Sequence, residues 1–147
     1  MEIIAADELQ IEEILAIDGE CLSPPWTEGQ MLSEIYSDHT CFELAIEGEA
    51  VLGFCILRKL GDEAELLRIA TRPEVRKRGV GSKLLESAIK NAGGRGVGKI
   101  FLEVRESNET AASLYDKFGF KVAGMRRAYY EEPVENACVM VLEVCNE

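Results

Sequence analysis

Apolar and polar positions divide the chain into short blocks with two different periods. Ile3-Ile4-Ala5 has the form of a short strand. Ile11, Ile14, Leu15 and Ile17 then give one apolar helical face behind Asp7 and Gln10, a capping-box pair. This spacing predicts a helix that ends near Gly19. Ser23-Pro24-Pro25-Trp26 cannot continue it, because two prolines remove donors and fix φ. Thr27 and Gln30 repeat the capping pattern and open a second helix, with Trp26 placed to staple onto Met31. Cys41–Glu47, Ala50–Leu60 and Glu63–Thr71 are apolar strand-like runs, joined by the tight turns Gly48-Glu49 and Gly61-Asp62. Links this short predict consecutive antiparallel pairing. Gly79 to Ala92 returns to helical spacing, with Val80, Leu84, Leu85, Ala88, Ile89 and Ala92 on one stripe and Gly93-Gly94 at its end.

From Lys99 to Val104 the period is two. Ile100, Leu102 and Val104 fall on one face, and Phe101, Glu103 and Arg105 on the other. Asn108 can cap a further helix bearing Ala111, Ala112, Leu114, Tyr115 and Phe118, closed by Gly119. Lys121–Tyr130 and Ala137–Val144 form a last hairpin around Glu131–Asn136. The element order is β-α-α-β-β-β-α-β-α-β-β. It predicts an α/β (α+β) fold, a mixed and mostly antiparallel sheet flanked by helices. The two strands either side of the third helix should lie parallel, joined by a right-handed crossover.

A chain of 147 residues fits a single domain, residues 1–147, with one core. The formal net charge of −11 argues against nucleic acid as a partner over most of the surface; such a body attracts a cationic partner, although a charge excess usually just aids solubility. Cys21, Cys41, Cys55, Cys138 and Cys145 are odd in number and widely spaced, with no C-x-x-C pair and His39 as the sole histidine. They read as free thiols of a reducing cytosol, and no zinc site is expected. The acidic N-terminus lacks a signal-peptide core, and no apolar run is long enough to span a membrane, so a cytoplasmic protein is expected.

Candidate chemistry centres on Arg76-Lys77-Arg78-Gly79-Val80-Gly81, between a strand and a helix. A glycine turn entering a helix leaves backbone N–H groups without helical acceptors and adds the positive end of the dipole. Such a site takes anions, and glycines let phosphates approach the backbone. Three cations reinforce it, so the expected ligand carries a pyrophosphate. Gly93 to Lys99 approximates a second phosphate loop, but Ile100 replaces the hydroxyl residue that holds magnesium and the order is helix-to-strand. It reads as a flexible connection.

Arg76-x-x-Gly79-x-Gly81 after a strand resembles the acetyl-CoA loop of the GNAT acetyltransferase superfamily. Leu67–Thr71 before it, Leu102-Glu103-Val104-Arg105 and Asn108–Phe120 after it are similar to the RimI type, the ribosomal-protein-alanine N-acetyltransferases. The resemblance runs from about Ser23 to Leu142 and is strong over Leu67–Tyr130. It implies acetyl-CoA in a gap between the two parallel strands, held by Ile69, Ala70, Thr71, Arg76, Lys77, Arg78, Gly79, Val80, Gly81, Ser82 and Asn108.

It further implies Glu103 as general base and Tyr115 as the acid that protonates the leaving thiolate. Trp26, Tyr129 and Tyr130 would line the acceptor site. The acceptor would be the N-terminal alanine of a basic small-subunit ribosomal protein. On the residues alone, Glu103 reads as a surface carboxylate paired with Arg105, Tyr115 as a core tyrosine, and Tyr129–Tyr130 as an aromatic strand end. Two departures touch specificity: Ala128 stands where the type often has Asn, and the Glu131–Asn136 loop looks short. A small amine or lysine side chain as acceptor, or an acyl-CoA-binding module without turnover, are the alternatives. The oligomeric state and peptide preference are not encoded legibly.

Overall fold

The computed structural model describes residues 1–144, so Cys145 lies outside the described residues. Seven strands form one sheet: β1 (Glu2–Ala5), β2 (Thr40–Glu47), β3 (Ala50–Leu60), β4 (Glu63–Thr71), β5 (Lys99–Arg105), β6 (Lys121–Glu131) and β7 (Val134–Glu143). Their spatial order is β1-β2-β3-β4-β5-β7-β6, and β4–β5 is the parallel pair among antiparallel neighbours. The helices are α1 (Ile11–Cys21), α2 (Glu28–Ile35), α3 (Val80–Gly94) and α4 (Glu109–Lys117). The mixed, mostly antiparallel sheet and the element order match the expectation.

Each sheet face has its own apolar layer. Leu84, Leu85, Ala88 and Ala92 of α3 and Tyr115 of α4 pack on Ile100, Leu102, Val104 and Leu66. Ile14 and Ile17 of α1 and Met31 of α2 pack on Phe42, Leu44, Phe54 and Ile56 on the other face. The period-two pattern of β2 to β5 thus feeds both layers.

Both expected capping boxes form, Asp7 with Gln10 and Thr27 with Gln30. The first closes a short 3₁₀ turn, Glu8–Gln10, that leads into α1. α1 runs two residues past Gly19, to Cys21, with Leu22 N–H bonded to Asp18 O. Glycine inside a helix costs about 1 kcal/mol, and the long-range bonds of the Asp18 carboxylate, described below, outweigh that.

The last hairpin also differs from expectation. Its strands reach Glu131 and Val134, leaving only Glu132 and Pro133 between them. β6 is an edge strand with Tyr130 as its one half-buried residue, and its register slips between Arg126 and Tyr130. At that slip Ala128 adopts φ 50 and donates its N–H to Asn136 Oδ1 at 2.9 Å. Among the described residues no helix is long and apolar enough to cross a membrane.

Candidate active site

β4 and β5 pair only at Glu63–Lys99, Ala64–Ile100 and Glu65–Phe101. Beyond that β4 stays bonded to β3 as far as Thr71, and β5 to β7 as far as Arg105. Each strand follows its outer neighbour, so a wedge opens between them. Arg72 N–H bonds Leu52 O on β3. Strand alternation then directs the N–H of Ala70 to β3 and those of Ile69 and Thr71 into the wedge.

One wall of the wedge leads to the N-terminus of α3. Gly79 sits there at φ 80 and Lys77 at φ 69. The first helical bond is Lys83 N–H to Gly79 O, which leaves the N–H groups of Val80, Gly81 and Ser82 without helical acceptors. Gly81 is where three elements converge: a Cβ there would lie 3.5 Å from Leu114 Cδ2 on α4 and 3.7 Å from Thr71 Oγ1 on β4. The three expected cations of the loop differ in their surroundings. Arg78 pairs with Glu47 at 2.7 Å, and Arg76 approaches Cys21 Sγ at 3.6 Å, while Lys77 is exposed. Exposed pairs of this kind are worth roughly 1 kcal/mol or less, so a pyrophosphate can recruit Arg78.

Tyr115 lies on the same side of the sheet. It is 5% exposed and packs on Phe120 at 5.7 Å between ring centroids. Burial pushes its phenol well above the usual tyrosine range, so the hydroxyl stays a proton donor. Asn108 caps α4, its Oδ1 accepting from Ala111 N–H at 3.1 Å.

Glu103 approaches the wedge from the opposite face. Its side chain is 12% exposed, and Oε1 lies 3.6 Å from Arg126 Nε. Arg105, the partner suggested by sequence spacing, turns instead to Glu135 and to backbone carbonyls. Glu103 Oε2 is buried with no hydrogen-bond partner. Leaving a buried carboxylate oxygen unpaired is costly, and such atoms mark places where a ligand or proton is received.

The surroundings are tuned by this one carboxylate. Hydrogen bonding to the Glu103 carboxylate, then burial, holds the Tyr129 phenol above its ordinary value. Burial, then Glu103, pushes Tyr130 up to about 12. Burial, then Glu103, raises Glu65 on β4. Tyr129 and Tyr130 meet edge to face at 5.1 Å, with Arg126 over the first ring and Arg105 over the second. Trp26 lies farther along this face, beneath the Arg68 guanidinium at 5.0 Å. The wedge thus joins a helix end with open N–H groups and a buried phenol on one side to an unsatisfied carboxylate oxygen and an aromatic pair on the other.

Residues 11–120 match the profile of the acetyltransferase (GNAT) family. The chain belongs to the GNAT acetyltransferase family. It is 37% identical over 122 residues to the [ribosomal protein bS18]-alanine N-acetyltransferase of Escherichia coli (strain K12), covering 82% of each chain. It is 35% identical over 144 residues to the protein of that name from Haemophilus influenzae, covering 95% of this chain and 97% of that one. The crystal structure of the ribosomal-protein-S18-alanine N-acetyltransferase from Escherichia coli superposes with a TM-score of 0.90 at 30% identity, over 97% of this chain and 93% of that one.

The protein is therefore an acetyl-CoA-dependent N-acetyltransferase with the GNAT fold. The site suits that co-substrate: free N–H groups at the α3 terminus match a pyrophosphate, and the wedge with its two open strand donors matches an extended arm ending in a thioester. Several residues of this acetyltransferase site left no mark in the sequence. Glu65, Arg126, Arg68 and Asp18 are ordinary charged residues until strand pairing and helix docking assemble them around Glu103 and Trp26.

Proposed function

We propose that this enzyme acetylates the N-terminal amine of a protein, with the N-terminal alanine of ribosomal protein bS18 as its acceptor. The unpartnered, buried Oε2 of Glu103, on the face opposite the α3 terminus, carries the reading. An incoming ammonium group supplies what that oxygen lacks. The relatives named above support the acceptor, and the charge of −11 suits a basic ribosomal protein.

In the proposed reaction Val80, Gly81 and Ser82 hold the pyrophosphate through their N–H groups, beside Arg76, Lys77, Arg78 and Gly79. Ile69, Ala70 and Thr71 line the arm, with the two open N–H groups placed for the carbonyl oxygen as it becomes an oxyanion. Asn108 borders the same arm. Glu103 takes a proton from the amine, whose ordinary pKa is about 8, so a modest base suffices. The nitrogen lone pair forms the C–N bond, and the C–S bond breaks. Tyr115 gives its proton to the departing thiolate; the nitrogen sheds its second proton to solvent as the amide forms, and solvent restores Tyr115 and Glu103. Trp26, Tyr129 and Tyr130 enclose the acceptor's first residues.

The test is thiol release from acetyl-CoA with a panel of acceptors, read alongside mass spectrometry. An Ala-initiated basic peptide should react, its kcat/KM should fall with added salt, and N-terminal blocking should abolish reaction. Acetyl groups on the lysines of the blocked peptide would overturn the N-terminal assignment.

A further inference from the structure

Charge is divided unevenly along the chain. No lysine or arginine precedes Arg58, while 13 of the 27 acidic residues do. The remaining 14 are matched by all 16 lysines and arginines. The net negative charge therefore belongs to β1, α1, α2, β2 and the turns between them. Glu13, Asp18, Glu34 and Glu47 of this region meet arginines from later in the chain. Asp7, Glu8, Glu12 and Asp38 are exposed and enter none of the ion pairs among the described residues.

These four carboxylates flank two exposed apolar side chains. Leu9 is 86% exposed and Tyr36 is 63% exposed. The Tyr36 hydroxyl donates to Glu8 Oε2 at 2.7 Å, which ties the turn bearing Leu9 to the end of α2. Asp7, Glu8 and Glu12 stand around Leu9 in the chain, and Asp38 follows Tyr36. Beside them β1 is an edge strand, paired with β2 alone. Exposed apolar side chains inside a polar rim are the usual form of a protein-binding surface. Here the rim is of one sign, so its self-repulsion is relieved by a cationic partner. A second copy of the chain, docked face to face, would bring the same acidic rim and be repelled.

The surface is continuous with the acceptor site. Trp26 stands before α2 and Tyr36 at its far end, and eight residues of helix span about 12 Å. Trp26, Thr27, Gly29, Gln30, Ser33 and Glu34 line an open groove of about 420 Å³ along that helix. An extended chain needs about four residues to cover the distance.

We propose that Leu9, Tyr36 and their acidic rim are a docking surface for the body of the basic acceptor protein, reached by the residues that follow those held in the wedge. This rests on the N-terminal acceptor reading above. The surface adds affinity for the whole protein and leaves the chemistry of its N-terminal amine untouched.

The test compares whole ribosomal protein bS18 with its N-terminal tetrapeptide, which is too short to pass Trp26 and reach Tyr36. The variants are Leu9→Ser/Tyr36→Ser and Glu12→Lys/Asp38→Lys, all at exposed positions outside the wedge. In the wild type kcat/KM should be at least about tenfold higher for the whole protein, and added salt should narrow the gap. Each double variant should lose about tenfold or more on the whole protein and nothing on the tetrapeptide. Folded variants that keep the wild-type value on the whole protein, or that lose equally on both substrates, overturn the proposal.

Binding without turnover gives a second readout. Calorimetry with N-terminally acetylated bS18, which cannot react, should show at least about tenfold weaker binding in each variant. Should the wild type acetylate neither substrate, the N-terminal reading fails separately, and this titration alone decides the docking surface. A wild-type dimer in sedimentation that Leu9→Ser/Tyr36→Ser dissociates would assign the face to a second copy and overturn the proposal.

Discussion

Asp18→Ala should cost about 3–5 kcal/mol of folding stability. The Asp18 side chain is fully buried and accepts from two donors, Arg68 Nε at 2.7 Å and Trp26 N–H at 2.8 Å. Truncation leaves a guanidinium whose side chain is only 12% exposed without its counter-charge. It also orphans a backbone N–H, a loss of about 1–3 kcal/mol within that total. A protein of this size holds roughly 5–15 kcal/mol in all, so the change is large. At about 2–4 °C per kcal/mol the melting temperature should fall by about 6–20 °C, measured by calorimetry at fixed protein concentration. Asp18→Asn keeps one acceptor oxygen and should fall between. Asp18→Leu with Arg68→Met removes both charges together and should recover the part of the loss that comes from the unpaired ion, while the Trp26 N–H stays without its acceptor. A single variant within about 2 °C of wild type, or a double variant no better than the single, would refute this account.

Tyr115→Phe should lower kcat by about 10²–10⁴-fold with acetyl-CoA affinity unchanged by calorimetry, and Glu103→Gln should lower kcat over the same range; a wild-type rate in either variant would remove that residue from the proposed proton transfers. Gly81→Val should abolish acetyl-CoA binding while the fold persists, since branched methyls between Leu114 Cδ2 at 3.5 Å and Thr71 Oγ1 at 3.7 Å would crowd the N–H groups proposed to hold the pyrophosphate; unchanged affinity would count against the anion site. Ala128→Gly should raise stability by up to about 1–2 kcal/mol, read as a higher melting temperature, because φ 50 strains a residue bearing a Cβ. The phenols of Tyr36, Tyr115, Tyr129 and Tyr130 are all raised in the folded state, Tyr130 to about 12. Unfolded phenols ionise near 10, so this contribution is complete below about pH 10 and is lost as pH rises through the folded values. Phenolate absorbance should therefore appear later in native protein than in denatured protein; coincident titrations would contradict the burial of Tyr115 and Tyr130 and the Glu8 and Glu103 contacts of Tyr36 and Tyr129.

The sequence by itself determined the elements and their faces. Alternation in Lys99–Arg105 put Glu103 opposite the aliphatic layer, the two capping boxes marked their helix starts, and Gly79 stood where a left-handed residue was needed before α3. These are signals of one or two turns, carried by period and backbone freedom. The Arg76–Gly81 loop was legible for the same reason.

Tertiary structure decided the partners. Arg105 neighbours Glu103 along the chain, yet the carboxylate faces Arg126, because β6 comes to lie two strands from β5 with a slipped register. α1 overran Gly19 because Asp18 finds Arg68 fifty residues later. Arg78 turned to Glu47 across the sheet, and the final loop shrank as β6 and β7 paired to their ends. The family pattern's Asn at position 128 acquired a meaning only with the observed backbone, which is left-handed there and held by Asn136. Local pattern sets which way a side chain points, but the energy of a buried charge depends on which oppositely charged group strand pairing brings beside it, and that group is distant in sequence.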